Sequence, residues 1–280
     1  EKRKTIDVFL GSLRQPEDER KVRHCNKILR KIPAKENYRE LLDNTPILLR
    51  HFVALPKEIR DVVSRTSEEM VNGLKNDHIQ DIQTLEDQNR YCHYAAGLVG
   101  NLITIIFWYR NYLSSKNMNR MMALGHDFGV ALQKVNILKD IREDVIEGRI
   151  YWPRALVENF GLSYKRLASL QEEDRENFGS LVKRLLIDLE PYIERSFEYI
   201  DGLPYTPGGL RVFCGDNLLF SIATCRVLRD TKSFYQGKNK ITREEVATIH
   251  KRVEDIVGEK GDLRNLGRCV GYRSIGSEIK

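Results

Sequence analysis

Between Gln133 and Asp144 the chain spaces polar side chains at Gln133, Asn136, Asp140, Glu143 and Asp144. On a helix advancing about 100° per residue these five fall within an arc of about 100°. The rest of the circumference carries Phe128, Val130, Ala131, Leu132, Val135, Ile137, Leu138, Ile141 and Val145. A surface helix shows one apolar stripe on a broad polar face. This segment inverts that arrangement, so the spacing predicts a buried helix with one narrow polar stripe ending in three carboxylates and stopping at Gly148. Buried carboxylates need partners, because losing water costs each ion several kcal/mol or more. Basic side chains are one repair. Hard divalent cations are the other, and aspartates spaced i, i+4 with an intervening Glu suit Mg²⁺, which takes a few carboxylates plus water and phosphate oxygens. Gln133 and Asn136 can donate to a phosphate, and Lys134, Lys139 and Arg149 add positive charge. D-x-x-E-D by itself equally describes an ion-pair network at a helix end; the apolar walls and the Gln/Asn extension favour the metal and diphosphate.

A second stretch, Tyr91-Cys-His-Tyr-Ala-Ala-Gly-Leu-Val-Gly100, opens a predicted helix from about Asn89 to Leu113. Tyr91, Ala95, Leu98 and Leu102 share one face, and Ala96, Gly97 and Gly100 leave small surfaces. A glycine inside a helix costs up to about 1 kcal/mol against Ala. Close approach of another helix explains that cost, and so does an apolar ligand tail. His93 reads as a packed or hydrogen-bonded helix residue, since no second His lies at ligand spacing.

The remaining elements are helical by pattern. Residues 1–32 break near Gln15-Pro16, and Asn44-Thr45-Pro46 and Leu55-Pro56 read as helix starts. The segment after Pro56 closes near Gly73, and 77–88 reads as a polar loop. In that loop Asp77 and Asp81 have a D-x-x-x-D spacing that reads as coincidence. Further helices are predicted over 164–171, over 178–199 with a kink at Pro191, over 210–230 and over 244–257. No stretch alternates with period two, so the fold class is all-α. One domain is expected over 1–257, with a central cavity lined by Tyr91 and Asp140, and a poorly ordered polar tail over 258–280.

The 280 residues carry a formal net charge of +6, with basic and acidic side chains interspersed, which does not argue for nucleic acid. Attraction to diphosphates or anionic membrane surfaces is the more economical reading. Five scattered cysteines without a C-x-x-C pair point to a reducing compartment, with neither a disulfide framework nor a zinc site. No signal peptide is visible, and the apolar run Ala95–Trp108 is too short to span a bilayer.

Q-K-V-N-I-L-K-D-I-R-E-D followed by G-R-I-Y-W-P resembles the second aspartate-rich motif of the squalene/phytoene synthases, which join two prenyl diphosphates head to head. Tyr91–Gly100 is similar to the Y-C-H-Y-V-A-G-L-V-G signature of the squalene-type members, and His93 and Trp152 tilt the match the same way. The resemblance implies an isoprenoid-synthase-type helical fold. It implies Mg²⁺ on Asp140, Glu143 and Asp144, and substrate contacts from Gln133, Asn136, Lys139 and Arg149. Tyr91 would be catalytic, near the carbocation. It further implies NADPH if squalene is the product, with Lys238 and Lys240 as candidates for its phosphates. A cytoplasmic location with peripheral membrane contact would suit the prenyl diphosphate substrate. Phytoene or dehydrosqualene synthesis is one alternative, and a catalytically silent homologue used in assembly is another. Family members carry an earlier aspartate-rich helix, normally ahead of a segment like Lys2–Leu13, so the chain is expected to lack its N-terminal helices. It is therefore expected to bind prenyl diphosphates and turn them over poorly or not at all. Lys139 stands where the family usually has Arg, keeping the charge without the bidentate fork.

Overall fold

Punctuation residues set the helices of the first 72 residues. A computed structural model describes residues 2–76, 82–230 and 239–271, and its regular elements are all helical. Helix α1 (Lys2–Arg14) closes ahead of Gln15-Pro16. The Asp18 carboxylate then accepts from the Arg20 and Lys21 N–H groups to start α2 (Glu19–Leu29). Asn44 both ends α3 (Glu36–Asp43) and precedes α4 (Thr45–Val53), whose first turn tolerates Pro46 because that N–H has no helical partner. α5 (Lys57–Asn76) follows Pro56 and runs through Gly73, where the sequence predicts its end. The chain divides into two compact units, 1–72 and 73–280, where the sequence suggests one domain. In the first, Leu10, Cys25, Leu29, Leu49 and Ile59 are buried, and the Ser64 hydroxyl donates to the Leu13 carbonyl at 3.2 Å.

The second unit opens on Thr84, whose hydroxyl accepts from the Asp87 N–H while the Asp87 carboxylate accepts from the Thr84 N–H. That box starts α6 (Leu85–Cys92) four residues ahead of the expected Asn89 and turns the end of the predicted loop into helix. Asp77 and Asp81 lie outside the described residues. One turn of π-helix (His93–Gly97) joins α6 to α7 (Leu98–Tyr109). The whole run, Leu85–Tyr109, is 25 residues, long and apolar enough to cross a membrane, which the shorter run Ala95–Trp108 is not. It crosses α8 (Met118–Lys139) closely, Gly100 against Gly125 and Gly129 against Ala96.

Helix α8 is the centre of this unit. It packs on α7, on α12 (Arg175–Asp201) and on α13 (Gly209–Arg229). Eleven of its 22 residues are buried, among them Phe128, Val130, Ala131, Val135, Ile137 and Leu138, so the inverted pattern read from the sequence is realised. Helix α12 is unbroken at Pro191. Interior Pro costs about 3 kcal/mol, and Leu185, Leu186, Leu189, Ile193 and Phe197, all buried around it, offset that cost. The shorter helices α9 (Ile141–Ile146), α10 (Arg154–Asn159) and α11 (Tyr164–Ala168) follow α8. Thr242 and Glu245 cap α14 (Arg243–Gly258).

Residues 258–271 correct the expectation of a poorly ordered tail. Asp262 accepts from the Arg264 N–H and starts α15 (Leu263–Val270), which buries Leu263, Leu266, Gly267 and Val270. Residues 272–280 lie outside the described ones. The pair His250–Asp216, at 2.7 Å, ties α14 to α13. Its hydrogen bond, then its charge, holds the imidazolium above the usual histidine range. That stabilisation is complete below the unfolded histidine pKa and is lost as pH rises through the folded one. Hydrogen exchange in α14 is therefore expected to quicken as pH rises through that range, after correction for intrinsic rates, and His250→Gln should flatten the dependence.

Candidate active site

The polar stripe of α8 leads to a break rather than to one continuous helix. Asp140 has φ −100° and ψ 12°, so α8 ends at Lys139 and α9 restarts at Ile141. The last carbonyls of a helix lack intrahelical donors. Here the Trp152 indole N–H donates to the Ile137 carbonyl at 3.0 Å, and Asn239 donates to that of Lys139. Trp152 is fully buried and stacks on Phe178, ring centroids 5.9 Å apart. Gly148 has φ +73°, a left-handed conformation that glycine adopts without strain and that turns the chain after α9.

The three carboxylates are met by Lys139 and Arg149, which the sequence places nearby, and by Lys240 from a later segment. Lys139 Nζ lies 2.6 Å from an Asp140 oxygen, and Lys240 Nζ lies 3.6 Å from Asp140 and 3.9 Å from Glu143. Arg149 donates through Nε and Nη2 to Asp144 Oδ1, at 3.1 and 2.8 Å, and also pairs with Glu147. Asn136 accepts from Lys139 at 2.9 Å. Asp144 is 8% exposed, and its carboxyl is held above the usual range. Burial is the largest cause, opposed by Arg149 and reinforced by the charges of Asp140 and Glu147. Lys238 lies outside the described residues.

Tyr91 stands where α6 meets this segment. Its ring stacks on Tyr151, centroids 4.5 Å apart at 23°, and Gln133 Nε2 donates to its hydroxyl at 3.4 Å. Burial, then Tyr151, Cys92 and Asp144, push its pKa well above the usual phenol range, so it stays protonated. Gln133, Tyr91 and Tyr151 are thus brought together, and the charge of Asp144 is felt at the Tyr91 hydroxyl. Sequence reasoning missed Tyr151, although Y-W-P was in the motif.

The structure gives the signature stretch its partners. His93 is a hydrogen-bonded helix residue, as expected, and its partner is a histidine: its Nδ1 lies 2.9 Å from His126 Nε2. His126 Nδ1 is 3.0 Å from Asp127, which also pairs with Arg195. The partner is 33 residues away on α8, so no local spacing reveals it. The glycines make room for backbone. A Cβ on Gly100 would stand 1.9 Å from the Gly125 carbonyl oxygen, and one on Gly129 would stand 2.2 Å from that of Ala96. Close helix approach, not an apolar tail, accounts for them. A separate cavity of about 460 Å³ is lined by Tyr205, Val212, Glu254 and Val257, with no residue of the acidic segment.

The sequence matches the squalene/phytoene synthase family over residues 9–245. The chain belongs to that family. Squalene synthase of Schizosaccharomyces pombe is 34% identical over 137 residues, 46% of this chain and 29% of that protein. Squalene synthase ERG9 of Saccharomyces cerevisiae is 25% identical over 212 residues, 73% of this chain and 46% of that protein. The chain thus spans about half or less of the length of these curated relatives. The solved structure of ligand-bound TcSQS superposes with a TM-score of 0.73 at 24% identity, over 89% of this chain and 76% of that one, which shows a shared fold. The family's reaction is head-to-head prenyl condensation.

Proposed function

We propose that this chain carries a head-to-head prenyl-diphosphate condensing site that takes farnesyl diphosphate towards presqualene diphosphate and squalene. The observation that supports this reading best is the gathering of Gln133, Tyr91 and Tyr151, with the Tyr91 hydroxyl within reach of the charge of Asp144. The donors fit a hard cation. They are carboxylate oxygens one helical turn apart, and Asp144 is buried and pressed by its acidic neighbours. Among the described residues no three acidic, histidine or cysteine side chains converge into a closed metal set. Asp140, Asp144 and Glu143 would supply part of a Mg²⁺ site, with water and diphosphate oxygens completing it, and the ion would lend Lewis acidity to the departing pyrophosphate.

The chain's own groups do the rest. As the allylic C–O bond breaks, its electron pair leaves with the pyrophosphate. Lys139, Arg149 and Lys240 turn from the carboxylates to those phosphate oxygens. Gln133 and Asn136 orient them. Tyr91, kept protonated and half-buried, offers its hydroxyl and ring face beside the cation. Lys240, placed against Asp140 and Glu143, is within reach of the same phosphates, and a role for NADPH rests on squalene being the product.

Product analysis under single-turnover conditions, with farnesyl and geranylgeranyl diphosphate offered separately, tests the reading. Presqualene diphosphate from farnesyl diphosphate is expected, with squalene once NADPH is added. A C40 product would move the reading to phytoene synthesis. Binding without any product would favour a silent homologue, in which the carboxylates keep their Lys and Arg partners.

A further inference from the structure

Lys134 is a buried cation that the chemistry above does not use. It is 3% exposed, and its Nζ lies 2.6 Å from Asp188 on α12, 3.4 Å from the Gln88 side-chain oxygen on α6, and 5.2 Å from the centre of the Tyr192 ring. Stability alone gives weak grounds for such a group, since a well-packed apolar pair of similar volume is often as stable or more so. What a buried pair does impose is geometry, and this one reaches further than its two members. Gln88 has one oxygen and one nitrogen to place. With the oxygen accepting from Lys134, the nitrogen must face the other way, and there it donates to the Tyr151 carbonyl at 2.8 Å. Tyr151 lies in the irregular segment after α9, which has no helical hydrogen bonds of its own to fix it. Its ring is the one stacked on Tyr91, three residues after Gln88 and so on the same side of α6. Gln133, the neighbour of Lys134 in sequence, donates to the Tyr91 hydroxyl.

We propose that Lys134 is a positioning residue that sets the Tyr91–Tyr151 ring pair through Gln88, a role that rests on the reading of Tyr91 as a group working beside the reacting diphosphate. Lys134 fixes which way the Gln88 amide points. Gln88 fixes the backbone of Tyr151. Tyr151 then holds one face of Tyr91 while Gln133 holds its hydroxyl. Without the ammonium, Gln88 is free to turn over and the segment carrying Tyr151 loses its anchor.

The test separates positioning from mere structural support. Lys134→Met alone strands the Asp188 carboxylate, so the informative variants are K134M/D188L, which removes both charges, and Gln88→Leu, which keeps the ion pair and cuts only the relay. Each is compared with the parent in three measurements: melting temperature, the ¹⁹F NMR signal of 3-fluorotyrosine placed at position 151, and the single-turnover rate and KM for farnesyl diphosphate. Both variants are expected to melt within a few degrees of the parent. In both, the ¹⁹F resonance should shift or broaden as the ring stack loosens, and the rate should fall about tenfold or more with KM within about twofold, as misplacement near the chemistry does. An unchanged resonance in Gln88→Leu overturns the proposal, and so does a K134M/D188L variant that recovers both parental stability and parental rate. Should the double variant fail to fold, Gln88→Leu decides alone. A parent that turns nothing over counts against the substrate reading, while the ¹⁹F signal still decides whether Lys134 and Gln88 place Tyr151.

Discussion

Trp152→Ala is expected to lower the stability of the chain by about 3–5 kcal/mol, the range for deleting a fully buried large aromatic side chain. Trp152 does two things at once. It fills the space against Phe178, and its indole N–H takes the Ile137 carbonyl just before α8 breaks at Asp140. Trp152→Phe keeps much of the ring contact and leaves that buried carbonyl without its donor, so a smaller loss of about 1–3 kcal/mol is expected. Urea denaturation of the three proteins gives the comparison. No measurable loss in Trp152→Phe would show that packing, not the hydrogen bond, is what holds the break.

Asp144→Asn is expected to slow single-turnover condensation on the order of a hundredfold or more, the scale of removing one preorganised charge-stabilising group, while leaving the fold intact. The sign of its pKa shift explains the second half. Burial and acidic neighbours raise the folded-state value, so the folded chain binds this proton more tightly than the unfolded one. The stability from that protonated carboxyl is present below the unfolded pKa and is lost as pH rises through the folded pKa. At neutral pH the ionised carboxylate therefore weakens the fold, and the amide removes that penalty while its oxygen still accepts from Arg149. A variant that is inactive yet melts no lower than the parent is the expected result, measured by product formation and thermal unfolding. Lost stability in proportion to lost activity would assign Asp144 a structural role instead.

Much of this was readable from the chain because the physics involved is local. The stripe on α8 and its apolar walls follow from helical periodicity, and the breaks at Pro16, Asn44 and Pro56 follow from missing donors and capping groups. The end of the helix at Lys139 was not readable, because what stabilises it is the indole of Trp152 and the amide of Asn239, brought in from later segments. The partners of Lys134 and His93 lie 54 and 33 residues away, and nothing at either position names them. Gly97 and Gly100 were visible as a cost, but only the crossing itself tells backbone contact from ligand space. α15 could have been found: Asp262 is a capping residue, and Leu263, Leu266 and Val270 follow at helical spacing behind a Gly-rich composition that masked them.

The central claim is that Asp140 and Asp144, which pair with Lys139, Lys240 and Arg149, form one wall of a magnesium–diphosphate site. Calorimetric titration with farnesyl thiodiphosphate, with and without Mg²⁺, tests it most directly on the parent and on Asp140→Asn. Affinity in the parent should depend on Mg²⁺, and Asp140→Asn should weaken it by roughly tenfold to a hundredfold, at least what disturbing a metal ligand's surroundings costs. Binding of equal strength with and without Mg²⁺, unchanged in Asp140→Asn, would contradict it.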